Sequence, residues 1–147
     1  MITLKSYLRG EWVEGRGDFA TLYDPTTGEA IARAGTGGLD LWAALAFARE
    51  EGGPALRAMT FEERGAVLKA MSKAIHAARE ELIEVSIRNG GTTRSDAKFD
   101  IDGASGTLAY YASLGKKLGA ARVIREEPEQ LTQSARFFGA QIGRAHV

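Results

Sequence analysis

Apolar residues in the first quarter of the chain occur in short runs rather than with a helical period. The runs are rich in Tyr, Trp, Val and Leu, and glycines separate them at Gly10, Gly15 and Gly17. The segment DPTTGE, Asp24 to Glu29, is typical of a turn, because Pro25 presets φ and Gly28 accepts a positive φ. This part of the chain therefore predicts two or three short strands that form hairpins.

The apolar pattern becomes helical from Gly38 onward. The segment LDLWAALAFAREEG predicts a first helix that ends at Gly52 and Gly53, because Pro54 cannot continue it. A second helical segment begins after Thr60, which forms a predicted capping box with Glu63. One face of that segment is apolar and carries Val67, Leu68, Met71 and Ile75.

Two more helices and a strand are predicted in the rest of the chain. One helix covers residues 79–88 and ends at Asn89, Gly90 and Gly91. A longer one starts near Ser95, ends around Gly115 to Gly119, and carries Phe99, Ile101, Leu108, Tyr111 and Leu114. A strand is possible from Ser134 to Ile142. The order of strands, three or four helices and a new strand predicts the opening of an α/β domain whose main sheet is still to come.

Composition narrows the possible classes of partner and site. Lys plus Arg equals Asp plus Glu at 19 each, so we expect no nucleic acid and no membrane as partner. The longest apolar stretches are too short to cross a bilayer, and the start lacks a basic head before an apolar core, so we expect a cytoplasmic protein. The chain has no cysteine, which excludes disulfides, thiolate metal sites and a cysteine nucleophile within it.

Two glycine-containing motifs are candidates for binding sites. Arg16-Gly17-Asp18 spells an adhesion tripeptide, but a glycine-rich hairpin turn explains the same residues. Gly35 to Gly38, GTGG, follows a predicted strand and precedes a helix, as a phosphate loop would. It lacks the spacing and the lysine of such a loop, and it lacks the full dinucleotide fingerprint. We expect a plain strand-to-helix connection there.

Three other groups of residues could carry chemistry. Asp96, Asp100 and Asp102 match no calcium loop, and we expect them to oppose the dipole in a first helical turn. His76 lies in a helix among alanines, without triad-like partners in sequence, and is expected to be a structural histidine. Tyr110 and Tyr111 are expected to pack the longest helix against its neighbours. We therefore predict no catalytic, no cofactor-binding and no metal-binding residue in this chain.

The order of these features nevertheless resembles a known family. The runs YLRGEWVEG, LYDPTTGEAIARAG and MTFEERGAVLKAMSKAIHAAREELIEV are similar to the amino-terminal part of the aldehyde dehydrogenase superfamily. Its N-P-x-T-G-E turn is present as Asp24-Pro25-Thr26-Thr27-Gly28-Glu29, and its helix-opening Glu-Arg pair as Glu63-Arg64. The segment GGTTRSDAKFDIDGASGTLAYYASLG replaces the usual E-L-E-T-G step. It resembles the branch that oxidises CoA-linked semialdehydes in the aerobic breakdown of phenylacetate and benzoate.

The resemblance implies a Rossmann-type α/β enzyme with NAD or NADP as cofactor, an aldehyde substrate (a CoA thioester in that branch) and a homo-oligomeric assembly. In the family a cysteine thiolate attacks the aldehyde and hydride passes to the cofactor. A glutamate activates the hydrolytic water, and an asparagine amide with a backbone N–H holds the oxyanion. None of these residues maps onto this chain, so we expect the fragment itself to be inactive.

The last residues have an expected origin of their own. Ile142 to Val147, IGRAHV, correspond to the codons ATC-GGA-AGA-GCA-CAC-GTC, which begin a common sequencing-library adapter. We expect residues 1–141 to be a truncated aldehyde dehydrogenase domain and residues 142–147 to be a non-native tail. Two alternatives stay open: a non-catalytic helical interaction module, and another branch of the family that acts on free aldehydes.

Overall fold

A computed structural model of the chain describes residues 1–124, with five short strands followed by helices. The strands β2 (Lys5–Leu8) and β3 (Glu11–Glu14) form an antiparallel hairpin of their own, in which Tyr7 lies opposite Trp12. The three others are β1 (Ile2–Thr3), β4 (Ala20–Tyr23) and β5 (Ala30–Ala34), arranged in the order β1-β5-β4. Strand β1 runs parallel to β5, whereas β4 is antiparallel to it. The strand count exceeds the predicted two or three.

The predicted turn at Asp24 joins β4 to β5. The Asp24 carboxylate accepts the backbone N–H groups of Thr26 at 2.8 Å and Thr27 at 3.2 Å. Gly28 has φ of 76°, and its N–H donates to the Asp24 carbonyl oxygen at 2.8 Å. The turn prediction is confirmed, because the aspartate binds the backbone locally and the glycine adopts the left-handed conformation that closes the hairpin.

The first helical segment does not end at Gly52 and Gly53, so that prediction is wrong. Helix α1 (Leu41–Phe47) continues through a π-helical turn, Ala48–Gly52, into α2 (Gly53–Ala58). In the wider turn the Gly53 N–H donates to the Ala48 carbonyl oxygen, five residues back. Pro54 then lies in the first turn of α2, where its missing N–H removes no regular α-helical bond.

The next three helices begin and end close to the predicted residues. Helix α3 (Phe61–Ala77) starts with the Thr60–Glu63 capping box, and α4 (Arg79–Gly90) ends at Gly91, which has φ of 64°. Helix α5 (Arg94–Leu118) starts one residue before Ser95 and is capped by the Thr93 hydroxyl, which accepts the Asp96 N–H. These boundaries follow from local hydrogen bonds that a sequence encodes directly.

Helices α3 and α5 form the main tertiary contact of the described chain, and glycines allow them to approach closely. Gly65 and Gly115 are both buried, and a Cβ on Gly65 would lie 2.8 Å from the Ala112 carbonyl oxygen. Farther along, the Ser72 hydroxyl donates to the Ser105 carbonyl oxygen at 2.9 Å. The predicted helix end is confirmed at Gly119, which caps α5, whereas Gly115 lies inside α5 at this crossing.

The core of residues 1–124 is small. Its buried hydrophobic side chains are Ala32, Ile83, Ala97 and Ala112, and Ile83 is the only large one that is fully buried. Large apolar side chains stay exposed on every helix, including Trp42 at 81% and Phe99 at 79%. Most apolar surface of these elements therefore has no cover within the described part of the chain. No helix in residues 1–124 is both long and apolar enough to cross a membrane.

Candidate functional site

The glycine-rich loop Gly35 to Gly38 connects β5 to α1, as predicted. Its backbone lies directly against the segment after β3: the Arg16 N–H donates to the Gly37 carbonyl oxygen at 2.7 Å. A Cβ on Gly15 would lie 2.0 Å from the Gly35 carbonyl oxygen, and one on Gly37 would lie 2.1 Å from the Arg16 carbonyl oxygen. The glycines are thus required for two backbone segments to touch, which accounts for them without a phosphate.

Arg16-Gly17-Asp18 is exposed and irregular, but it is not the turn of a hairpin. It links β3 of the two-stranded sheet to β4 of the three-stranded sheet, so the expected hairpin turn is corrected to a connection between sheets. Arg16 is held through its backbone, and Gly17 has φ of 81°. The tripeptide therefore has a structural explanation in the contact with the loop that follows β5.

The three aspartates of α5 have separate surroundings. Only Asp96 lies in the first turn of the helix, so the expectation is wrong for Asp100 and Asp102. Asp102 instead forms a two-point ion pair with Arg79 at the start of α4, through Nε at 2.6 Å and Nη2 at 2.9 Å. This guanidinium holds the pKa of the Asp102 carboxyl below its usual range. Among residues 1–124, no group of acidic or histidine side chains is arranged to hold a metal ion.

An extended ion-pair network joins α4 to α5 around this pair. Arg79 also contacts Glu80, and Arg94 contacts Glu80 and Glu84. Local sequence patterns do not indicate this network, because its pairs other than Arg79–Glu80 lie 10 to 23 residues apart. The network links α4 to α5 through alternating charges, most of which are exposed to solvent.

His76 and the tyrosine pair are surface groups. His76 is exposed near the end of α3. Tyr110 and Tyr111 are 60% and 55% exposed, and their rings meet edge to face with centroids 5.5 Å apart. The expectation that they pack α5 against its neighbours is corrected: within the described residues they pack mainly against each other.

Two open grooves mark where the described elements fail to cover one another. One encloses about 710 Å³ between the three-stranded sheet and α4. Aliphatic side chains line it, and Glu81, Glu84, Arg88 and Asn89 lie on its helical side. The other encloses about 520 Å³ between α3 and α5, with a floor of small residues between Lys69 and Lys116. In the groove between α3 and α5 the Ser113 hydroxyl donates to the Tyr110 carbonyl oxygen of its own helix at 2.7 Å, and not to Glu62 or a lysine.

The glycine-rich loop before α1 is a poor fit for a nicotinamide dinucleotide. Its pyrophosphate needs free backbone N–H groups at a helix N-terminus after a glycine turn. The loop Gly35 to Gly38 packs on Arg16, and Asp40 caps the helix that follows. The predicted strand from Ser134 to Ile142 and the tail at residues 142–147 lie outside the described residues.

Comparison with known proteins places these elements. The sequence profile of the "Aldehyde dehydrogenase family" matches residues 12–137. A 3,4-dehydroadipyl-CoA semialdehyde dehydrogenase of Aromatoleum evansii is 49% identical over 123 residues, which cover 84% of this chain and 24% of that protein.

Solved structures give the same result. An NAD-dependent benzaldehyde dehydrogenase from Corynebacterium glutamicum superposes with a TM-score of 0.68 at 27% identity, over 77% of this chain and 25% of the other. A betaine aldehyde dehydrogenase from Staphylococcus aureus, in complex with NAD⁺, gives a TM-score of 0.67 at 25% identity, over 78% and 24%. The chain spans about a quarter of the length of these relatives. With a profile match over most of its residues and the same strand-then-helix framework, the chain belongs to the aldehyde dehydrogenase family.

Proposed function

We propose that the complete protein is an NAD(P)-dependent aldehyde dehydrogenase that oxidises a CoA-linked semialdehyde to the corresponding acid. The observation that carries this proposal is the contrast in sequence identity. The chain is 49% identical to a CoA-semialdehyde dehydrogenase, but only 25–27% identical to the benzaldehyde and betaine aldehyde enzymes. A shared fold accounts for the lower values, whereas the higher one favours a shared substrate class.

Within such an enzyme, residues 1–124 act as a scaffold. They contain no cysteine, and the Thr60 and Thr93 hydroxyls that contact carboxylates do so as helix caps. We therefore expect the rest of the polypeptide to supply the reacting residues. Their contribution is to hold α3, α4 and α5 in fixed relation through the glycine crossing and the Arg79 network. The exposed apolar faces of these helices are the surfaces on which the remaining domain would pack.

The biological setting of the proposal is also inferred. The segment from Gly90 to Gly115 resembles the phenylacetate and benzoate branch, which supports a role in aromatic-compound catabolism. CoA thioesters are intracellular metabolites, which supports a cytoplasmic enzyme. The uncovered apolar surface and the family resemblance support a homo-oligomer when the polypeptide is complete.

The deciding experiment is to recover the complete reading frame and assay its product. We expect reduction of NAD⁺ or NADP⁺ with a CoA-linked semialdehyde, and a much lower kcat/KM for the same semialdehyde without CoA. A reading frame that continues from Ala140 without a cysteine, a glutamate base and an N-F-P strand would overturn the enzyme assignment. Equal kcat/KM values with and without CoA would overturn the substrate class and leave the family intact.

A free-aldehyde dehydrogenase is the second candidate. The benzaldehyde dehydrogenase of C. glutamicum superposes on this chain with a TM-score of 0.68 at 27% identity. This candidate predicts that benzaldehyde or betaine aldehyde is the better substrate in the same assay. A self-contained helical module instead predicts a natural stop codon after Val147 and cooperative unfolding of the isolated chain. The small core argues against it.

A further inference from the structure

The only asparagine of the chain, Asn89, lies at an exposed helix end and precedes two glycines. It is the next-to-last residue of α4, and Gly90 is the last. Gly91 follows in the left-handed conformation, with its N–H on the Ile87 carbonyl oxygen at 2.9 Å. Both Asn89 and Gly90 are exposed. A terminal helical turn opens at little cost, so this peptide unit samples conformations that the helix interior does not.

We propose that Asn89 is a site of spontaneous deamidation through a succinimide. The backbone nitrogen of Gly90 loses its proton and attacks Cγ of Asn89, which forms an N–Cγ bond. The Cγ–Nδ2 bond breaks, and the side-chain nitrogen leaves as ammonia. Water then opens the ring at either carbonyl carbon, which gives aspartate or isoaspartate without any oxidant, reductant or cofactor. Glycine favours the attack because no Cβ shields the nitrogen, and its backbone reaches the required geometry easily.

An Asp–Gly pair elsewhere in the chain provides a comparison for the reactivity of Asn89. Asp102 precedes Gly103, and the same ring closure would convert this aspartate to isoaspartate. Asp102 lies in the middle of α5, and Arg79 binds both oxygens of its carboxylate. Regular helical hydrogen bonds flank this step on both sides, and ionised carboxylates are poor electrophiles. We therefore expect Asn89 to form the succinimide and Asp102 to be protected from it.

The products would change a junction between the sheet and the helices. Gly91 packs so closely on the β4–β5 turn that a Cβ on it would lie 2.8 Å from the Pro25 Cγ. Isoaspartate at position 89 adds one atom to the backbone two residues before Gly91. Either product also adds a negative charge at the helix C-terminus, where the dipole disfavours it. Asn89 also lines the groove between α4 and the three-stranded sheet, together with Glu81, Glu84 and Arg88.

The test uses the complete native protein, incubated at mildly alkaline pH and sampled over time. Cleavage after lysine releases residues 74–98, which keep Asn89 inside one peptide. We expect this peptide to gain the mass difference between an amide and an acid and to split into aspartate and isoaspartate forms. The rate should rise with pH, because the attacking nitrogen must be deprotonated. The protein unfolded in urea gives the reference rate for an unconstrained chain.

Two matched glycine variants isolate the mechanism. Gly90→Ala places a Cβ 3.5 Å from the Thr92 Cγ2, an ordinary contact, and should slow the conversion several-fold. Gly103→Ala places a Cβ in open space and should leave the Asn89 rate unchanged. Asn89→Gln, which requires no backbone change, should abolish the mass gain. Asn89 that stays intact in the native protein while the unfolded chain converts fully would overturn the proposal. Conversion of Asp102 at the same rate, or a Gly90→Ala rate equal to wild type, would overturn it too.

Discussion

Gly65 of α3 and Gly115 of α5 touch where the two helices cross: a Cβ on Gly115 would lie 3.0 Å from the Gly65 Cα. The same Cβ would lie 2.5 Å from the Phe61 carbonyl oxygen. Both obstacles are backbone atoms, which cannot rotate away as a side chain would. The crossing distance of these helices is therefore set by two missing methyl groups, and it fixes the largest contact in the described chain.

Alanine at either glycine should destabilise the protein. The added methyl group forces the helices apart, and overpacking of this kind costs about 1–3 kcal/mol. The higher helix propensity of alanine offsets part of this loss of stability, on the order of 1 kcal/mol. We expect lower unfolding midpoints for Gly65→Ala and Gly115→Ala in thermal or urea unfolding.

Gly106→Ala is the matched control for those variants. Gly106 also lies inside α5, but a Cβ there would meet nothing within 4 Å. Without a clash only the helical preference acts, so this variant should be more stable by about 0.5–1 kcal/mol. A stabilising Gly115→Ala change would contradict the close approach of the two helices.

Farther along the same crossing, the serine pair should contribute less than the glycines. Ser72 Oγ donates to the Ser105 carbonyl oxygen at 2.9 Å, and Ser105 Oγ donates to the Ser72 carbonyl oxygen at 3.2 Å. Each hydroxyl thus binds the opposite helix. Ser72→Ala should cost about 0.5–1.5 kcal/mol, the net value of one such bond. The double variant with Ser105→Ala should cost less than the sum of the single variants, because the hydroxyls also contact each other at 3.3 Å.

Ser113→Ala controls for the loss of a hydroxyl alone. Ser113 Oγ donates to the Tyr110 carbonyl oxygen of its own helix at 2.7 Å and, within residues 1–124, makes no hydrogen bond to α3. Its unfolding midpoint should match that of the wild type within error. Strictly additive effects of Ser72→Ala and Ser105→Ala would mean that the two hydroxyls act independently.

Local signals in the sequence predict most helix ends correctly. They fail where the role of a residue depends on a contact with a residue distant in sequence. Thr60, Thr93 and Gly91 act within their own turn, so short-range chemistry identified them. A glycine can end a helix, or it can allow a neighbouring helix to approach closely. Gly115 has the second role, because it packs on Gly65, which lies 50 positions earlier in the sequence. No local pattern carries that information.

The other wrong predictions also depend on structural features that the local sequence does not indicate. The pairing of Asp102 with Arg79 depends on how α4 and α5 pack, so the first-turn interpretation could not detect it. Pro54 predicts a helix end because the interior of a regular α-helix excludes proline, whereas here it follows a π-helical turn and lies in the first turn of α2. The candidate sites were predicted to be structural from their spacing alone. The absence of catalytic and cofactor-binding residues from this chain stays a prediction, because testing it requires the remaining residues of the enzyme.

Removal of the N-cap of α3 should destabilise that helix. Thr60 Oγ1 accepts the Glu63 N–H at 3.2 Å, and the Thr60 N–H donates to Glu63 Oε2 at 2.7 Å. Thr60→Ala removes the first bond and should cost about 0.5–2 kcal/mol. Thr60→Ser keeps the hydroxyl and should stay close to wild type in the same unfolding measurement. An equal loss for both variants would assign the effect to the methyl group of Thr60 and contradict the capping role.

The ion pair between Arg79 and Asp102 should make stability depend on acid pH. Hydrogen bonds from the guanidinium hold the pKa of Asp102 below its usual range in the folded protein. A carboxyl with a lowered folded pKa contributes stability that is present above its unfolded pKa of about 3.9. That contribution is lost as the pH falls through the lower, folded pKa. Arg79→Gln should therefore lower the urea midpoint at neutral pH, and the difference from wild type should shrink toward strongly acid pH.

Carboxyl NMR titration checks the cause directly. In Arg79→Gln the pKa of Asp102 should return toward its usual value. Arg94→Gln is the matched control, because Arg94 pairs with Glu80 and Glu84 and not with Asp102. It should leave the Asp102 titration unchanged. A deficit of Arg79→Gln that is equal at neutral and acid pH would mean that the guanidinium acts by packing, and the ion pair would then not be the source of the stabilisation.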